Sequence, residues 1–132
     1  MRCLVVEDDM ISRKILVRIL SEHFECESAE NGLEAVEMFR RSLQTDRPYK
    51  LICMDIMMPV MDGQSALKAI REIEKKMNIP IGREVKAVMT TAMTDTKNVT
   101  DAFFQGLADA YLSKPVSREN IHQTLREISL IS

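Results

Sequence analysis

Five short apolar or β-prone runs, Cys3–Val6, Cys26–Ala29, Leu51–Met54, Val85–Thr90 and Ala110–Leu112, alternate along the chain with amphipathic stretches. In those stretches the apolar positions recur about every 3.6 residues, which predicts helices over Ile11–Glu22, Gly32–Leu43, Gln64–Met77, Thr96–Gln105 and Ser117–Ile128. Crossover helices of that length make neighbouring strands parallel, with right-handed connections. Strands that are apolar throughout suit a sheet covered on both faces, so the pattern predicts a doubly wound α/β fold. Asn31-Gly32 and Gln105-Gly106 stand where turns are needed, and Asp95 and Ser117 are placed to cap helix starts.

The informative polar residues are those that end the apolar runs. Leu51–Met54 terminates in Asp55, and Pro59 with Asp62-Gly63 then takes the chain out of the sheet. An unpaired buried carboxylate is strongly disfavoured, which puts Asp55 at a strand tip facing water, a metal or a reaction. Cys3–Val6 likewise ends in Glu7-Asp8-Asp9, of which Asp9 is assigned to helix entry or solvent. The fourth run ends in Thr90-Thr91-Ala92, and the fifth in Tyr111-Leu112-Ser113-Lys114-Pro115. Ligands of open parallel sheets bind outside the carboxyl ends of the strands, so Glu7, Asp8 and Asp55 converge if their strands are neighbours. Each close pair of such charges costs up to about 4 kcal/mol at an effective dielectric near 20, which calls for a bound cation.

Composition narrows the setting. A chain of 132 residues with 45% hydrophobic content buries a core sufficient for one domain, taken as residues 1–132. A net charge of −2 gives no electrostatic footprint for direct nucleic-acid binding. The apolar runs fall short of a membrane span and the start carries no secretory pattern, so a cytoplasmic location without membrane association is expected. Cys3, Cys26 and Cys53 show neither CxxC nor Cys/His spacing and read as small buried apolar residues. Among the ten methionines, Met57 and Met58 flank the site, Met93 stands two past Thr91, and most of the others read as adaptable core filler.

The order Glu7-Asp8 after a first strand, Met54-Asp55 with Pro59 and Asp62-Gly63, Thr91-Ala92 and Lys114-Pro115 resembles, over the whole chain, the CheY-like receiver domain of two-component response regulators. The resemblance implies a flavodoxin-like five-stranded parallel sheet of order 2-1-3-4-5, with five helices on its two faces. It makes Asp55 the phosphoacceptor. It assigns Glu7, Asp8, Asp55 and the main-chain carbonyl of Met57 to a Mg²⁺ ion, with Mn²⁺ as the alternative. Thr91 would bind the phosphoryl group, Lys114 would pair with it, and Tyr111 would be the switch residue coupled to Thr91.

As partners the resemblance implies a sensor histidine kinase or histidine phosphotransfer protein upstream, and an effector protein or output domain downstream. The readout surface would be the fourth helix, fifth strand and fifth helix, with Phe103 and Phe104 on that fourth helix; a phosphorylation-dependent dimer is one form of output. The chemistry would be self-directed, so the chain reads as a signalling switch and not an enzyme. Whether it is a complete single-domain regulator or part of a hybrid kinase or longer regulator stays open.

Two departures from the family pattern stand out. Glu74–Lys86 is longer than usual and predicts an extended loop or longer helix, and Gly106–Ala110 carries one extra residue before the fifth strand. Two other classes share parts of the pattern. A haloacid-dehalogenase-type phosphatase also places a nucleophilic Asp after a strand, but Met57 stands where its second Asp belongs. A flavodoxin-like electron carrier is disfavoured by acids where a phosphate would need backbone amides.

Overall fold

The alternation of residues along the two central strands builds the core. In the computed structural model, which describes residues 1–92 and 107–132, β1 (Arg2–Val6) and β3 (Tyr49–Asp55) are buried on both faces. Side chains of a strand alternate between faces. Leu4, Val6, Ile52 and Met54 accordingly join one cluster, with Phe39, Ile70, Ala87 and Met89, while Cys3, Val5, Leu51 and Cys53 join the other, with Leu16, Leu20, Val88, Ile121 and Leu125. The first cluster lies under α2 (Gly32–Ser42) and α3 (Gly63–Lys76). The second lies under α1 (Met10–Leu20) and the last described helix, α4 (Arg118–Glu127).

With β2 (Glu25–Ala29), β4 (Lys86–Thr91) and β5 (Ala110–Ser113), these strands form one parallel sheet of order β2-β1-β3-β4-β5. The doubly wound architecture and strand order are as the sequence implies. Four of the five expected helices are among the described residues; the one expected over Thr96–Gln105, with Met93, Asp95, Phe103, Phe104 and Gln105-Gly106, lies outside them. Strand β3 starts two residues earlier than the apolar run suggests and includes Asp55 as its last residue. Helix α1 stops at Leu20, before Glu22, because the backbone tightens there, Glu22 N donating to Ile19 O and His23 N to Leu20 O.

Side-chain oxygens cap every described helix start. Asp9, Asn31, Asp62 and Ser117 accept from the backbone N–H of Ser12, Glu34, Ser65 and Asn120. The expected extension after α3 takes the form of a loop, because the helix ends at Met77. It is tied down by Glu74, buried, whose Oε2 accepts from Val85 N at 2.7 Å, and by Arg71, which bonds Glu74, the carbonyls of Val85 and Leu107, and Asp109. Asp109 in turn exchanges bonds with Ala87, which fixes the entry to β5. No helix among the described residues is long and apolar enough to cross a membrane.

Candidate functional site

Strand parity decides which polar residues meet at the carboxyl edge of the sheet. Glu7 follows Cys3 and Val5, and Asp55 follows Leu51 and Cys53, so both carboxylates emerge on the α1/α4 side. Lys114 follows Leu112 on that same side. Its ammonium donates to Glu7 Oε1 at 2.6 Å and to Asp55 Oδ2 at 2.9 Å. Glu7 has no exposed surface and Asp55 is 5% exposed, so two buried carboxylates are bridged by a partly exposed lysine.

The remaining lone pairs of both acids are served by the backbone. Asp9 N donates to Glu7 Oε2 at 3.1 Å, and Met57 N to Asp55 Oδ1 at 3.2 Å. That satisfaction is what permits carboxylates to be buried here. Burial opposes the charge on Lys114, but the bonds to Glu7 and Asp55 prevail and hold its pKa above the ordinary lysine range. Asp8 is exposed at the rim. Its carboxyl is raised above the usual range, first by desolvation and then by the hydrogen bond to Glu7 and that residue's charge.

One oxygen each from Glu7, Asp8 and Asp55 lies within 4.8 Å of the others. Three hard oxygen donors crowded against one another, with Lys114 as the paired counter-charge among the described residues, fit a divalent cation of the Mg²⁺ type. The backbone of residue 57 lies beside them, held by its bond to Asp55.

The loop that carries Met57 is fixed by close backbone approaches. Gly63 N donates to Ile56 O at 2.8 Å, and a Cβ at position 63 would stand 2.2 Å from Asp55 O. Gly32 N donates to Met61 O at 3.1 Å, so the start of α2 buttresses the same loop. Between them Met61 N reaches back to Pro59 O at 2.7 Å, a γ-turn that puts Val60 at φ +69°. For a β-branched residue that is a strained conformation.

Thr91 and Tyr111 belong to the other face. Thr91 lies two past Met89 of the α2/α3 cluster, against which Tyr111 also packs. The Thr91 hydroxyl donates to Ala92 O at 3.1 Å, while its own carbonyl accepts from Lys114 N at 2.8 Å. The strand ends bearing Thr91 and Lys114 are thereby joined, although the Thr91 hydroxyl is turned to its own strand end.

Two residues were not singled out by the sequence. Thr90 is fully buried with no hydrogen bond to its hydroxyl among the described residues, and it lines a cavity of about 350 Å³ with Glu7, Lys114, Ile15 and Val116. Period-two counting from Val88 would have placed it on the Asp55 face. Arg13 donates to Glu7 O at 2.9 Å and pairs with Glu30 at 3.5 Å, holding the acidic loop from the first turns of α1. Its position on the helix that follows the acids was the available signal.

A sequence profile described as "Response regulator receiver domain" matches residues 3–126. The chain is 32% identical over 126 residues to the chemotaxis protein CheY of Halobacterium salinarum, covering 95% of this chain and 93% of that protein. It is 31% identical to the hybrid signal transduction histidine kinase I of Dictyostelium discoideum, with 94% of this chain covered but only 7% of the kinase. Among solved structures, the receiver domain of the Saccharomyces cerevisiae response regulator Ssk1, crystallised with the histidine phosphotransfer protein Ypd1, is similar. Its TM-score is 0.80 at 32% identity, covering 96% of this chain and 87% of that one. The receiver domain of a Pseudomonas aeruginosa sensor histidine kinase, solved with magnesium coordinated in its active site cleft, gives a TM-score of 0.74 at 26% identity, covering 95% and 94%.

Proposed function

The chain belongs to the response regulator receiver family, whose role is phosphorelay signalling, and from that premise we propose that Asp55 is its phosphoacceptor. The observation that carries this reading is the triad of Glu7, Asp55 and Lys114 at the carboxyl edge of the sheet, with Asp8 at its rim. Asp55 Oδ attacks the phosphorus of a phospho-histidine, the N–P bond breaks with its electron pair leaving on the imidazole, and an aspartyl phosphate forms. Little covalent work falls to the protein in such a transfer, which is mainly positioning and charge neutralisation.

Glu7, Asp8, Asp55 and the Met57 carbonyl would hold Mg²⁺, or Mn²⁺, since both accept an all-oxygen set. When bound, the ion supplies charge compensation at the transferring oxygens. Lys114 leaves the carboxylates and follows the phosphoryl group on its flexible stem. Thr91 turns its hydroxyl from Ala92 O to a phosphoryl oxygen, and Tyr111, on the same face of the sheet, moves into the space vacated. The surface altered is that of β5, α4 and the segment expected to be helical over Thr96–Gln105. An effector protein, an output domain or a second copy of the chain would read it.

The donor is a histidine kinase or histidine phosphotransfer protein. Met10, Ile11 and Ile15 on α1, with Met57 and Val60 on the loop after β3, leave large apolar side chains exposed around the site, and such a surface suits a protein donor. Residues 1–132 act in this reading as a single receiver domain.

Treatment with acetyl phosphate and Mg²⁺, followed by intact-mass analysis, tests the assignment. The parent is expected to gain one phosphoryl group and Asp55→Asn none, because an amide is a poor nucleophile. Equal phosphorylated fractions in the two proteins would remove Asp55 from the reaction.

A further inference from the structure

At the opposite edge of the sheet a second cluster of ligating side chains lies apart from the phosphorylation chemistry. Glu22 and His23 follow the end of α1, just before β2 starts at Glu25, and His122 lies on α4. One donor atom from each of the three is within 4.8 Å of the others. The two imidazoles meet edge to face with ring centroids 4.9 Å apart, and His122 Nε2 is 3.9 Å from Glu22 Oε1. That nitrogen is buried and makes no hydrogen bond among the described residues.

We propose that Glu22, His23 and His122 form a transition-metal site of Zn²⁺ type, which clips the carboxyl end of α1 to α4. The donor set is two imidazoles and a carboxylate, the composition of a three-ligand site with its fourth position left to water. Ligands on one tetrahedral ion at about 2.0–2.1 Å stand roughly 3.3 Å from each other. The spacing found here is therefore closed by small side-chain rotations.

The framework is preformed from both sides. Glu22 and His23 sit on a hydrogen-bonded turn anchored by Phe24, which is buried and donates to Leu20 O at 2.9 Å. His122 follows Ile121, which is in the core. The ion would also lie at the carboxyl end of α1, where the helix dipole favours a cation. Imidazole donors separate this site from the all-oxygen cluster at the other edge, which prefers harder ions.

One group competes for the site. Arg118 holds both oxygens of Glu22, at 2.8 and 2.5 Å, so Glu22 must exchange the guanidinium for the ion. The pair is bidentate, but the Arg118 side chain is 62% exposed, so the guanidinium is released directly into solvent when the ion takes its place. The arginine becomes a built-in competitor whose removal should tighten binding.

Titration with Co²⁺, in the presence of excess Mg²⁺ to occupy the acidic edge, tests the proposal by visible absorption. The parent is expected to develop d–d bands of a low-symmetry site at one equivalent, and Arg118→Gln to bind more tightly. His122→Gln and His23→Gln should each weaken binding by about tenfold or more, with circular dichroism unchanged. In the parent itself, paramagnetic Co²⁺ should broaden the ring proton resonances of both histidines, which needs no variant to fold. Absence of the bands, their persistence in His122→Gln, or an intense thiolate charge-transfer band lost in Cys26→Ser would each overturn the assignment.

Discussion

Lys114 reaches across the carboxyl edge of the sheet to place its ammonium 2.6 Å from Glu7 Oε1, closer than the 2.9 Å it keeps from Asp55. Glu7 has no exposed surface, so the lysine is its main counter-charge. The residue proposed to follow the phosphoryl group therefore also holds the resting fold together.

Lys114→Ala should on this account destabilise the metal-free protein by about 2 kcal/mol, below the full cost of a broken buried pair because the lysine is partly exposed. Added Mg²⁺ should restore part of the loss by supplying another positive charge at the same carboxylates. Urea melts with and without Mg²⁺ give both quantities. A metal-free difference under about 0.5 kcal/mol, the range of ordinary surface changes, would mean that Glu7 does not depend on Lys114.

Asp8 makes the opposite case. Desolvation, and then the bond to Glu7, raise its pKa in the fold above the 3.8 of a free aspartate. Between those two values the folded state holds the extra proton, so stability falls as pH rises through that window, and the penalty is fully present above the raised pKa. Asp8→Asn removes a charge and supplies an amide N–H that can donate to Glu7. At neutral pH without metal it should stabilise by about 1 kcal/mol, the scale of one like-charge contact in a well-solvated setting, or roughly 3 °C in Tm. At acid pH the advantage should vanish, and stabilisation by Mg²⁺ should be lost at every pH. Thermal melts at two pH values show it; a variant less stable than the parent at neutral pH would contradict the sign.

How much of this was legible in the sequence follows from what each feature depends on. Asp55, Glu7 and Lys114 could be read because a charged residue ending an apolar strand has one sensible place, the strand tip. The alternation that sends Leu51 and Cys53 to one face and Ile52 and Met54 to the other was equally readable, and would have separated Thr90 from Thr91. The pairing of Lys114 with Glu7, and the meeting of Glu22 with His122, depend on side chains from distant elements converging in space. No local period encodes them. The γ-turn at Val60 was hidden for another reason, since the position carries a residue that disfavours its own backbone conformation.

That loop supports a prediction with two arms. At Gly63 an added Cβ would meet Asp55 O at 2.2 Å and Ile56 Cα at 2.9 Å, both backbone atoms that cannot yield without moving the proposed phosphoacceptor. Gly63→Ala should cost about 3 kcal/mol, at the upper end for overpacking, and slow phosphorylation by acetyl phosphate. Val60→Gly relieves strain of order 1 kcal/mol while increasing the freedom of the unfolded chain by a similar amount, so it should lie within about 0.5 kcal/mol of the parent. Chemical denaturation ranks them, and an undisturbed Gly63→Ala protein would mean that the loop does not set the position of Asp55.

The lifetime of the phosphorylated form is predicted to depend on the side chain of Met57. Hydrolysis needs a water in line with the aspartyl phosphate, and Met57, two residues past Asp55 and 60% exposed, is proposed from the family resemblance to overhang that approach. Its thioether is bulky, flexible and a poor hydrogen-bonding group, so it can exclude a water but cannot orient one. Met57→Asn exchanges that bulk for a smaller amide that both donates and accepts. Loss of the phosphoryl group should accelerate about tenfold, equivalent to roughly 1.4 kcal/mol in the barrier. Decay of radiolabelled protein in the presence of Mg²⁺ measures the rate directly. Half-lives that agree within about twofold, a barrier change near 0.4 kcal/mol, would show that water access past residue 57 does not limit hydrolysis, and control would then rest with groups nearer the leaving oxygen.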